Sequence, residues 1–172
     1  MSRASVAERA RLSVFLARGL FRRLIGRIAT HPLVSWLLSF GKVDRLVIAP
    51  QDLRTTDATM ASEIYSGRFA FAGKVVLCNS RSPFDITPPS EEWAAALFGF
   101  GWLRHLRAAA SAITRSNARA LIEEWIAASP SQSSVAWRPD VVARRILSWL
   151  SQAPLVLDDA DPAFYRRFMR SL

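Results

Sequence analysis

Between Asn79 and Trp93 the chain reads NSRSPFDITPPSEEW, and its prolines constrain the fold more than any other feature. Pro83, Pro88 and Pro89 remove backbone donors and fix φ, so neither helix nor central strand can run through them. An extended arm is therefore expected before residue 90 and a helical region after it. Ser90 suits a helix N-cap, and Glu91 and Glu92 then fall in the first turn, where carboxylates favour the helix dipole.

After Ser90 the apolar residues recur at helical spacing. Trp93, Leu97 and the segment from Trp102 to Ile113 predict one long or kinked helix. Gly99 and Gly101 mark a kink, a break or a close backbone approach. Ser116 to Ala128 continues helical, with Ala118, Leu121, Ile122 and Trp125 on one face. SPSQSS is a loop, Pro139 opens another helix, and Asp161-Pro162 starts the last. In that helix Phe164, Phe168 and Leu172 follow i, i+4, i+8 spacing. The stripe is still running at the last residue, so the natural domain is expected to continue and this chain to be a fragment.

The arm has its own pattern. Leu46 to Ile48 is short and β-branched, a strand or extended piece that Pro50 stops. Thr56 or Asp57 caps a short helix ending at Ile64 or Tyr65. GRFAFAGKVV reads as a β-hairpin turning at Ala72-Gly73, and such a hairpin needs a helical body to lie on. Before the arm, residues 5–28 predict a helix broken at His31-Pro32, with a second helical piece from Leu33 to Phe40. His31 is read as a surface or capping residue. The domain division is thus 1–41, a basic helical leader; 42–89, the arm; and 90–172, the helices.

With 51% hydrophobic and 22% charged residues the composition is globular. The net charge of +9 is concentrated at the N-terminus. Residues 1–27 hold seven arginines against Glu8 alone. Arg11, Arg18 and Arg22 share a stripe flanked by Val14, Phe15, Phe21 and Ile25. That pattern fits a solvated helix face, or a basic amphipathic helix on an anionic membrane surface. It is not a clean secretory signal, because arginines interrupt the apolar core. Elsewhere the basic residues are spread among acids, which argues against nucleic acid as a partner.

Motifs that carry chemistry are sparse. The sequence has no GxxxxGK[ST], HExxH or GxSxG pattern, and Cys78 is its only cysteine. No cofactor and no metal are expected, and no catalytic residue is assigned. The weak candidates for ligand binding are Trp102, Arg104 and His105 in GWLRHLR. Two readings of them stand together: a helix whose leucines pack while Arg104 and His105 are solvated, or a groove in which Arg104 or His105 meets an anionic ligand. Trp93, Trp102, Trp125, Trp137 and Trp149 are expected in the core, although tryptophans also stack on sugar rings.

The phrases IYSGRFAFAG, PPSEEWAAALFGFGWLRHL, WRPDVVARRILSWL and FYRRFMRSL resemble the N-terminal part of the bacterial heparinase II/III-like proteins, from about residue 43 onward. The resemblance implies a mainly α fold, the first helices of an (α/α) toroid preceded by a small β-hairpin arm, with a β-sandwich following in the complete protein. It implies a polysaccharide lyase that cleaves uronate-containing chains by β-elimination, using Asn or His, Tyr and His residues. Neither Tyr65 nor Tyr165 matches that set, so the isolated chain is expected to be inactive. Acidic polysaccharide is the implied partner. The cell envelope or periplasm is the implied location, with the cytoplasm as the alternative. A basic module that binds an anionic membrane surface or a protein partner is the competing reading.

Overall fold

The computed structural model describes residues 46–172, apart from 110, 129, 132 and 133. These belong to a unit that spans residues 44–172. The expected leader helices, His31 and the arginine stripe lie outside the described residues.

From Leu46 to Asp57 the chain forms neither helix nor strand, so the Leu46–Ile48 segment is not a strand. Helix α1 (Ala58–Tyr65) then starts on Asp57, whose carboxylate accepts the Thr59 N–H at 2.8 Å. Strands β1 (Arg68–Phe71) and β2 (Lys74–Leu77) pair antiparallel, with Phe69 opposite Val76. Ala72 (φ 48°) and Gly73 (φ 73°) both take left-handed backbone, the arrangement that matches strand twist in a two-residue hairpin. The sheet rests on helices through β1. Phe69 is buried and meets Trp102 edge-on at 6.0 Å, and its carbonyl accepts the Trp93 indole N–H at 3.3 Å.

The proline segment crosses to the helical body by one 3-10 turn, Pro83–Asp85. It places Phe84 against Phe98, Phe100 and Trp125. Ser90 accepts the Trp93 N–H at 3.3 Å and opens α2 (Glu91–Phe98). Next come α3 (Leu103–Ala109) and α4 (Ala112–Ala128). The chain breaks at Gly99–Trp102, one of the outcomes expected of its glycines, and again at Ser111, where the Trp102–Ile113 segment was expected to run on. At the second break Ser111 and Thr114 form a reciprocal cap. The Ser111 N–H donates to Thr114 Oγ1 at 2.9 Å, and the Thr114 N–H donates to Ser111 Oγ at 3.1 Å.

A 3-10 turn (Val135–Trp137) leads into α5 (Pro139–Ser151). A short helix, α6 (Ala153–Leu157), follows α5 directly. Helix α7 (Pro162–Ser171) is capped by Asp161, which accepts the N–H groups of Ala163 and Phe164. Its aromatic stripe is covered by the chain's own residues. Phe168 stacks on Trp149 with ring centroids 5.1 Å apart, and Leu172 packs against the same core.

The described residues thus form a mainly α fold of seven helices with a two-stranded antiparallel sheet. They pack around one aromatic core that includes Trp93, Trp102, Trp125, Trp149, Phe100 and Phe168.

Candidate functional site

The FGFGW break organises the surface around α3. A side chain at Gly99 would place its Cβ 2.9 Å from the Ala95 carbonyl oxygen and 3.4 Å from Arg144 Cβ, so glycine here permits close approach of α5. Phe100 follows with φ 54°, in the left-handed region that bulky residues avoid. It is held there by packing. Its ring lies 5.1 to 5.9 Å from Phe84, Trp102, Trp125 and Trp149, and its carbonyl accepts the Ser148 hydroxyl at 2.6 Å. This turn fixes where α3 begins and which way its basic residues face.

The three sequence candidates end in different environments. Trp102 is 3% exposed, stacks on Phe100 and donates its indole N–H to Leu97 O at 3.0 Å. His105 is 8% exposed, and its Nδ1 accepts the Asp57 N–H at 3.0 Å. That bond selects the neutral tautomer protonated at Nε2. Arg104 reaches across to the arm, donating from Nε to Thr55 O at 3.0 Å and from Nη1 to Gly101 O.

Arg104 is not alone. Arg54 from the arm and Arg107 from α3 line the same open cavity of about 280 Å³, together with Asp52, Thr56 and Gln152. Arg54 pairs with Asp52, its Nη2 2.7 Å from Oδ2. That side-chain hydrogen bond holds the Asp52 carboxyl at about 2, against the opposing effect of burial. A neighbouring cavity of about 300 Å³ shares Arg54 and Arg104 and includes Trp102, His105 and Arg144 in its wall. Arg107 lay in the quoted GWLRHLR phrase, but Arg54 had no local signal. It is brought in by the arm folding over α3.

Burial pushes the His105 imidazole below its ordinary value, the Arg104 charge adds to this, and the Asp57 carboxylate opposes both. The folded state therefore prefers the neutral ring. Stability from this site is full above about 6.5, the usual imidazole value, and declines as pH falls from there toward the lowered native value. Urea unfolding between pH 7.5 and 5 is expected to show a falling midpoint, and the His105→Asn variant a flatter profile. Equal slopes in the two proteins would show that His105 does not contribute.

A curated protein that resembles this chain is FtsZ-localized protein C from Caulobacter vibrioides (strain NA1000 / CB15N). The two are 28% identical over 127 residues, which is 73% of this chain and 22% of that protein. The chain thus spans about a fifth of the length of FtsZ-localized protein C. No family model matches the chain, and no solved structure matches it. These findings overturn the expected kinship with heparinase II/III-like proteins and, with it, lyase action on uronate polysaccharide. The phrases that suggested the kinship do structural tasks here: a left-handed hairpin turn, a serine cap, a glycine contact and a tryptophan core. Of the two tyrosines weighed against the lyase set, Tyr65 is exposed, and Tyr165 accepts the Leu46 N–H at 3.3 Å.

Proposed function

We propose that this chain is the helical region of a cell-division-associated protein that localises with FtsZ. The observation that carries this reading is the similarity to FtsZ-localized protein C across 73% of the chain. The fold is compatible with a binding role. Trp93, Trp102, Trp125 and Trp149 are spent on the core and Trp137 is 38% exposed, while arginines from the arm and α3 gather on one open surface.

The concentration of arginine in residues 1–27 favours a second contribution, attraction to an anionic membrane surface. Among the described residues no helix is long and apolar enough to cross a membrane.

One experiment addresses both readings. A fluorescent fusion of the full gene product is expected to form a band at the division site that disperses when FtsZ is depleted. A uniform signal in cells with intact FtsZ rings would sink the division reading. The same fusion without residues 1–27 is expected to lose intensity at the membrane. An unchanged pattern would remove the membrane contribution.

A further inference from the structure

We propose that the cavity between the arm and α3 is a binding site for a dianionic phosphate group. This inference stands apart from the division reading, because it rests on charge and geometry alone.

Three guanidinium groups, from Arg54, Arg104 and Arg107, line the cavity against one carboxylate, Asp52. That carboxylate is already engaged. It takes a two-point bond from Arg54, Nε at 2.9 Å and Nη2 at 2.7 Å, and a third from Gln152 Nε2 at 3.2 Å. Arg104 and Arg107 make no ion pair among the described residues. The lining therefore carries two positive charges beyond what it neutralises.

The guanidinium groups also converge. At the boundary with the neighbouring cavity, which both arginines also line, Arg54 Nη1 and Arg104 Nη1 each lie 3.6 Å from the point that a Gly101 Cβ would occupy. Asp52 offsets the charge of Arg54 there, and the Gly101 carbonyl takes Arg104 Nη1, which leaves the charges of Arg104 and Arg107 unneutralised. A planar fork of donors suits tetrahedral oxyanions, and two such forks suit a doubly charged one. Arg104 is fixed for the task by its bonds to Thr55 O and Gly101 O, and Arg107 by a 3.4 Å bond to Ser151 O.

Gln152 sets the position of the one carboxylate in the cavity. It is 1% exposed and lines the cavity, and its Oε1 is buried without a hydrogen-bond partner. Its amide is oriented by the bond to Asp52, because the reverse orientation would set two acceptors together. The amide oxygen is an acceptor and would not face a dianion, so Gln152 serves the cavity by holding Asp52 in place. A phosphate group, free or on a lipid headgroup, supplies the same chemistry. A monoester's second ionisation near pH 6 makes it mainly a dianion at neutral pH, and free phosphate is partly so.

The test is calorimetric titration of the full chain with inorganic phosphate, glycerol 3-phosphate and acetate. Both phosphates are expected to bind saturably and acetate not to bind. Arg104→Gln and Arg107→Gln are each expected to weaken binding about tenfold or more, the usual effect of losing a charge-assisted hydrogen bond. Gly101→Ala makes no contact shorter than 3.6 Å, so it keeps the fold while inserting a methyl between the two guanidiniums. It is expected to weaken binding as well. Flotation with phosphatidic acid and with phosphatidylglycerol vesicles separates the sources. Preference for the monoester lipid that is lost in Arg107→Gln assigns the site to a headgroup, and free phosphate binding alone assigns it to a soluble ligand. The proposal is overturned if neither phosphate nor phosphatidic acid binds. It is also overturned if acetate binds as tightly, or if all three variants bind as the parent does.

Discussion

Replacing Arg145 with alanine is expected to lower the unfolding free energy by about 3 kcal/mol, the range set by lost charge-assisted bonds and a buried void. Arg145 sits on the buried face of α5 and is 5% exposed. No carboxylate among the described residues pairs with it. Its Nη1 donates instead to Phe98 O at 3.3 Å and Ala136 O at 3.0 Å. The first of these belongs to the last residue of α2, where helix carbonyls carry partial negative charge. The guanidinium carbon lies 4.7 Å from the Trp125 ring centre and 5.2 Å from that of Trp137, close enough for both aromatic faces to attract the cation. Alanine would leave two carbonyls unpaired and the space between two indoles empty. Arg145→Met separates these effects, since it refills most of the volume but not the hydrogen bonds. Its expected loss is about half that of alanine. Urea denaturation of the three proteins measures both. A methionine variant as stable as the parent would mean that the cation's desolvation cancels its bonds.

Phe100 carries the second large effect. Truncation to alanine removes a ring at the centre of the aromatic core, a change that costs about 3–5 kcal/mol in comparable sites. The informative comparison is with glycine. In helices and strands glycine is less stable than alanine by about 0.5–1 kcal/mol. At φ 54° the order should invert, because alanine retains the Cβ that disfavours left-handed backbone and glycine does not. Phe100→Gly is therefore expected to unfold at a higher urea midpoint than Phe100→Ala. The usual order would indicate that Phe100 carries no backbone strain. Phe100→Leu keeps much of the volume and guards against a variant that fails to fold.

Much of the fold was legible because its signals are local. Ser90, Asp57 and Asp161 cap helices within a few residues of themselves, and Ala72-Gly73 turns a hairpin that alternates around it. The breaks were less legible. Ser111 and Thr114 make a reciprocal cap, yet they sit inside a stretch whose apolar spacing reads as continuous helix. The burial of Arg145 had a signal in its spacing, since it lies four residues from both Val141 and Trp149 on one face. Its charge concealed that position.

The site was only partly legible. Arg104 and His105 were singled out from one helix, but the cavity needs Arg54 and Asp52, which come from about fifty residues earlier. No periodicity links an extended arm to the helix that it crosses. The kinship drawn from whole phrases failed for a related reason. Those phrases encode caps, turns and core aromatics, and such devices recur wherever a hairpin meets helices.

The attachment of the stretch before α1, residues 46–57, has a thermodynamic consequence. The stretch is tied to the helical body by polar bonds, from Leu46 N–H to Tyr165, from Gln152 to Asp52 and from Arg104 to Thr55 O. Its apolar side chains Val47, Ile48 and Leu53 are 84%, 78% and 85% exposed. Releasing this stretch would uncover little new apolar surface, so the step carries a small heat-capacity change. Its equilibrium should vary almost linearly with temperature, whereas the aromatic core follows a curved profile and weakens on cooling. The wall of the arginine cavity and the core beneath it thus respond to temperature by different laws.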